Sequence, residues 1–188
     1  LESFSKRTNT INCRDITHTN MDSFFGLTKY MIKTMLQGMN NSTCFNLAEN
    51  WFPEAIQSAK EGLSQEPIAS KQKSISCATE VAKKMGATEE EMTMVAGFAG
   101  GLGLSGNACG ALSTAIWMNS LAWVNEHPEK SAFKNKNAKA TLKAFNKETN
   151  SEMLCHNICQ QQFKTIAEHT KFIKNGGCSK LIATLAKT

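Results

Sequence analysis

The sequence predicts an all-α fold: a multihelical single domain arranged around a buried central helix that follows a glycine-rich turn. Three observations predict it. Valine occurs three times and isoleucine eleven in 188 residues, while Ala, Leu, Lys, Met and Glu are plentiful, so a sheet would lack its β-branched stock. Apolar residues recur at helical spacing, with Ser, Thr or Asn before each run and glycine after it. Between Glu91 and Glu126 lie 34 uncharged residues interrupted by six glycines, the pattern of two buried helices joined by a turn.

The elements follow in order. Residues 1–20 are polar, threonine-rich and without period, and are expected to form an irregular N-terminal arm. Residues 21–70 are expected to form a helical extension packing on the main domain. Its first helix runs from Met21 through Met31, Met35 and Leu36 to a stop at Gly38. A second, capped by Asn41 or Ser42, kinks or restarts at Pro53 and stops at Gly62, and "LSQEPIASKQK" is a connector.

Residues 71–188 form the main domain. Ser76 caps a helix that ends at Gly86, and Thr88 with Glu91 makes a capping box for the next. The central helix, capped by Asn107, covers about residues 108–124. Leu112, Ala115, Ile116, Leu121 and Val124 mark one face, and Trp117, Met118 and Trp123 make the others apolar. After "KNAKATLKAFNKE", a capping box from Thr149 to Glu152 opens a long helix, "SEMLCHNICQQQFKTIAEHTKFIK". A last helix follows Gly176 and Gly177.

Charge excludes one function class and length argues against another. The net +5 comes from nineteen lysines and only Arg7 and Arg14, with no aromatic residues among them, which is a solvated lysine-rich face and not a nucleic-acid surface. The uncharged stretch is too broken by glycine, Asn and Ser to span a membrane. The chain starts at Leu1, so the compartment stays open between cytoplasm and export after leader removal.

Seven cysteines, at 13, 44, 77, 109, 155, 159 and 178, match no zinc-finger, thioredoxin-like or haem-attachment spacing. Gly101, Gly103 and Gly106 spell G-x-G-x-x-G, but no strand precedes them and no second strand fits before Glu126, so a nucleotide loop lacks its context. A local role remains: Gly101, Gly103, Gly106 and Gly110 let helices cross closely, turn the chain, and leave room for a small ligand or redox partner. Cys109 then stands at about the second helical position, where free N–H groups favour a thiolate. It is expected to be the most acidic thiol if it faces a pocket. Cys77 follows the capping Ser76, Cys178 follows the glycine pair, and Cys155 lies in the second turn of its helix.

These segments, "SCATEVAKKMG", "GGLGLSGNACGALSTA", "NSEMLC" and "NGGCSKLI", resemble the C_GCAxxG_C_C family of redox-active proteins over residues 74–186. The chain departs from the pattern near Thr114 and Ala115, where the closing glycine is replaced, and at Ala108. The resemblance implies an all-α fold and a redox or metal-linked role for Cys77, Cys109, Cys155 and Cys178, which should converge in space. Two function classes follow, and the chain's being an enzyme is left open by both. One is thiol–disulfide exchange or electron transfer with an unidentified redox partner. The other is a metal-ion or iron–sulfur module using the same four thiolates. A third reading is a helical ligand-binding or structural domain with incidental cysteines. Cys159, one turn from Cys155, is an auxiliary thiol or core residue; His156 and His169 are candidates for tuning a thiolate or ligating a metal. Cys13 and Cys44 lie outside the resemblance and are expected to be structural or incidental.

Overall fold

The computed structural model describes residues 2–21, 23–64, 75–130 and 134–188. The described residues are helices and connecting turns with no strand, and they group into two compact units, up to residue 64 and from residue 75. Residues 65–73 of the expected connector lie outside the described residues.

In the first unit the expected irregular arm is helical. Helix α1 (Glu2–Thr8) sets Phe4 edge-on to Trp51 at 5.0 Å, and Trp51 Nε1–H donates to Ser3 Oγ at 3.1 Å. Arg7 pairs with Glu54. Helix α2 (Cys13–Thr17) starts at Asn12, whose side chain accepts from Arg14 N–H. Tertiary contacts outweigh weak local propensity here. Helix α3 (Phe24–Gln37) begins at its cap Ser23, two residues after Met21, and ends at Gly38. Helix α4 (Thr43–Ser64) runs unbroken through Pro53 and Gly62: proline removes one hydrogen bond, which a 22-residue helix tolerates, and nothing near Gly62 forces a turn.

The second unit holds the core. Helix α5 (Cys77–Lys84) starts with a reciprocal Ser76–Thr79 capping box, and α6 (Glu89–Val95) with the expected Thr88–Glu91 box. Helix α7 (Gly110–Glu126), α8 (Lys136–Thr149), α9 (Cys155–Cys159), α10 (Ile166–Lys174) and α11 (Ser179–Leu185) complete it. Thr149 is not a cap but the last residue of α8, and the long helix expected beyond it is two helices separated at Gln160, which is left-handed at φ 53°. Glu152 bonds forward to Leu154 N–H and Asn157 Nδ2–H instead of to a helix start at Thr149.

One cluster joins Cys77, Val81, Cys109, Leu112, Ala115, Phe145, Leu181 and Leu185; a second joins Ala78, Ala82 and Val95, with Trp117 and Met118 against it. Helix α5 is thus covered on two sides, and its one large apolar side chain, Val81, gains about 1.5–3 kcal/mol by burial. Helix α7 is buried only over its first ten residues; Ile116 and Leu121 are half-buried and Val124 is exposed. Where the family pattern has its closing glycine, Thr114 is fully buried and its hydroxyl donates to Gly110 O at 2.9 Å. Buried Asn119 fixes α7 on α8 by donating to Thr141 Oγ1 at 2.9 Å, while its carbonyl accepts from Asn135 Nδ2–H at 2.8 Å.

His169 belongs to this core, not to the site. It is 2% exposed, sits edge-on to Phe163 at 4.9 Å, and its Nδ1 has no hydrogen-bond partner among the described residues. Burial lowers its pKa from the ordinary 6.5. The folded state therefore requires the neutral ring: its contribution is complete above about pH 6.5 and declines as pH falls toward the lowered folded value. Urea midpoints should fall between about pH 7 and about pH 5.5, and His169→Phe should flatten that slope while changing stability at neutral pH by about 1 kcal/mol or less. An unchanged slope in the variant would refute the assignment.

Candidate functional site

The site is organised by the turn before α7. From Gly100 to Leu104 five consecutive residues hold φ between 60° and 86°, a left-handed turn that Leu102 and Leu104 enter at about 1–2 kcal/mol each and the glycines enter freely. Backbone hydrogen bonds close it: Gly103 N–H to Gly97 O at 2.8 Å, Leu104 N–H to Ala99 O at 3.1 Å, Gly106 N–H to Gly100 O at 3.0 Å.

The glycines are also spaces already filled by protein. A Cβ on Gly101 would stand 2.8 Å from Cys155 Cβ, one on Gly106 3.2 Å from His156 Cβ, and one on Gly110 2.0 Å from Phe98 O. Of the four glycines expected to admit a ligand, Gly103 alone faces open space.

Four helix starts bring the cysteines to this turn. Cys77 opens α5, 3% exposed, with the Gly100 N–H favouring its thiolate. Cys109 is the residue just before α7, two positions earlier in the helix than expected, 6% exposed, with the Leu112 and Ala111 N–H groups favouring its thiolate. Cys155 opens α9. Cys178 precedes α11 in left-handed conformation, φ 58°. Helix α9 is tied to the glycine turn by His156, whose backbone N–H and ring Nδ1–H both donate to Gly106 O, at 2.9 and 2.7 Å. The histidine positions the helix and does not touch a thiol.

Cys155 and Cys178 meet at Cys159, which stands between them. Its sulfur lies 3.9 Å from Cys155 Sγ and 3.6 Å from Cys178 Sγ. Cys77 and Cys109 lie within electrostatic reach, because charge on Cys155 and Cys178 opposes ionisation of both. Cys13 and Cys44 are exposed residues of the first unit, Cys44 accepting from the Tyr30 hydroxyl at 2.8 Å.

Ionisation divides the cluster differently from expectation. Burial pushes the Cys77 and Cys109 thiols up to about 12, against the backbone N–H groups that favour their thiolates. Cys109 is therefore not the acidic thiol. Cys155 and Cys178 are lowered, each chiefly by the hydrogen bond with Cys159, with burial opposing; Cys159 is raised and keeps its proton as the donor. Three adjacent sulfurs cannot all carry charge, and the single S–H of Cys159 supports a thiolate at Cys155 or at Cys178, one at a time.

Cys159 and Cys178 line a cleft of about 470 Å³, with Phe172, Asn157 and Lys180 among its walls. Lys180 Nζ pairs with Glu148 at 2.7 Å on its edge, where water leaves the pair little net energy. A soft metal or iron–sulfur cluster needs thiolates around one point. Among the described residues no three His, Cys, Asp or Glu side chains are grouped so as to hold a metal ion. Among the same residues no helix is long and apolar enough to cross a membrane.

A family model described as "Putative redox-active protein (C_GCAxxG_C_C)" matches residues 71–188. No curated protein and no solved structure matches the chain.

Alkylation followed by peptide mapping should show Cys178 titrating below 9.0 and labelling ahead of Cys77 and Cys109, which should label only on unfolding. Early labelling of Cys109 would refute the burial reading. Gly101→Ala should lose about 1–3 kcal/mol by forcing a left-handed alanine against Cys155. Unfolding midpoints equal to the parent's would contradict the filled space.

Proposed function

Because the chain belongs to the C_GCAxxG_C_C family, we propose that its cysteine cluster is a thiol–disulfide exchange centre opening on the cleft between α9 and α11. The observation that carries this reading is the chain of contacts Cys155–Cys159–Cys178, at 3.9 and 3.6 Å, with its outer end in the cleft. Thiolate is the attacking species, and a hydrogen bond from a neighbouring thiol raises the thiolate fraction at neutral pH. Cys178 is the half-buried member that both lines the cleft and is lowered in this way.

The step is a disulfide exchange. The Cys178 thiolate attacks one sulfur of a substrate disulfide, forming a mixed disulfide as the substrate S–S bond breaks and one thiolate leaves to take a proton from solvent. A second cluster thiol attacks Cys178 Sγ, expels the remaining substrate thiolate, and closes a protein disulfide. Two electrons pass from two protein thiols to the substrate, and a dithiol reductant run in the opposite sense restores them. Cys77 and Cys109 stay protonated in this scheme and form the dry inner wall of the cluster, held by the Gly100, Ala111 and Leu112 N–H groups.

Equilibration in glutathione buffers of graded oxidation should show a loss of two thiols per chain in one transition. Cys178→Ser should slow the approach to that equilibrium at least about ten-fold, and a Cys13→Ser, Cys44→Ser double variant should leave both the rate and the transition unchanged. Seven free thiols persisting into the fully oxidised buffer would remove the reading.

A further inference from the structure

We propose that Cys159, the fifth thiol of the cluster and outside the four-cysteine pattern, is both the resolving and the relaying sulfur: it carries the disulfide from cleft-facing Cys178 inward to Cys155. The inference rests on the exchange reading above and adds a residue and a direction to it.

Both neighbours touch Cys159, at 3.6 and 3.9 Å. A disulfide is about 2.05 Å long, so either bond needs the sulfurs to close by roughly 1.6–1.9 Å. The backbone allows it. Cys155 and Cys159 are the first and last residues of α9, one turn apart, the separation at which helical side chains meet. At Gln160 the chain turns left-handed and leaves the helix, so Cys159 sits at a helix end with no following turn to hold it. Cys159 is half-buried and lines the cleft beside Cys178, whereas Cys155 is 5% exposed and backed by Gly101. Two sulfurs, Cys178 and Cys159, thus face the cleft, and Cys155 lies behind Cys159.

The electron count closes at each stage. After Cys178 forms a mixed disulfide, Cys159 releases its proton to solvent and its sulfur attacks Cys178 Sγ; the Cys159–Cys178 bond forms as the substrate thiolate leaves and is protonated. The Cys155 thiolate then attacks Cys159 Sγ, forming Cys155–Cys159 and releasing the Cys178 thiolate. That last step is favoured by proximity: Cys155 and Cys159 stand one turn apart on the same helix, whereas Cys178 lies on another element. The disulfide ends inside α9, and Cys178 is again a thiolate facing the cleft.

The test uses the full reduced chain and oxidised glutathione, with acid quenching, alkylation and disulfide mapping over time. The expected order is a glutathione adduct on Cys178, then Cys159–Cys178, then Cys155–Cys159. In Cys159→Ser, and in Cys159→Ala as a second variant, the adduct should persist at least about ten-fold longer with no Cys155–Cys178 bond. The time course on the parent chain stands even where a variant fails to fold. A Cys155–Cys178 disulfide forming at the parent rate without Cys159, or a parent time course that never bridges Cys159, overturns the relay alone. A parent chain with neither adduct nor disulfide at these three residues overturns the exchange reading and the relay with it.

Discussion

The left-handed turn from Gly100 to Leu104 is the constraint on which the rest of the site depends. It presents Gly100 N–H to Cys77, sets Gly101 against Cys155 Cβ, brings Gly106 O to His156, and delivers Cys109 to the start of α7. Two leucines in that conformation cost about 1–2 kcal/mol each, so the turn persists only because its surroundings determine it. The closing hydrogen bonds and the burial of residues such as Phe145 and Leu185, each worth about 1.5–3 kcal/mol, supply the compensation. The strain sits beside the thiols, where a more relaxed loop would leave α9 unanchored.

Within the cluster two effects compete, and position decides between them. Helix-start N–H groups favour thiolates at Cys77 and Cys109, but both sulfurs are almost wholly buried, and desolvation of a charge outweighs one or two hydrogen bonds from backbone amides. At Cys155 and Cys178 the donor is a neighbouring thiol and burial is less complete at Cys178, so hydrogen bonding wins. The result is charge kept near the cleft and neutral sulfur kept in the core. Helix placement alone does not make a cysteine reactive.

Much of the fold was legible in the sequence because it is written in local signals. The Ser76 cap, the Thr88–Glu91 box, the Gly38 stop and the absence of strands among the described residues all follow from chemistry spanning a few residues. The failures share a cause. Helix α1 forms because Phe4 meets Trp51, α4 passes Pro53 because its length absorbs one lost bond, and α9 ends at Gln160 because Glu152 and Gly106 hold the preceding chain elsewhere. Each depends on a partner distant in sequence or on a backbone angle that residue types do not announce. The nearness of Cys155 and Cys178 was legible through the family pattern; the burial that silences Cys109 was visible only as an uncharged stretch, with no indication of which sulfur it would cover.

Cys159 was legible as a neighbour of Cys155 and nothing more, since a cysteine one turn along a helix reads as an apolar core position. Its second contact, to Cys178, crosses from α9 to the start of α11 and exists only because the chain leaves the helix at Gln160 and returns through Gly176 and Gly177. Gly177 must lack a side chain there, because a Cβ would stand 2.3 Å from the Phe172 ring. With that return, a two-sulfur contact becomes a row of three. A row holds its proton in the middle, because charge at either end is stabilised by donation from the centre, whereas charge at the centre would face like charge on both sides. The same geometry that makes the ends acidic also makes the middle sulfur the one within reach of both, so acidity and connectivity at this site come from a single packing arrangement.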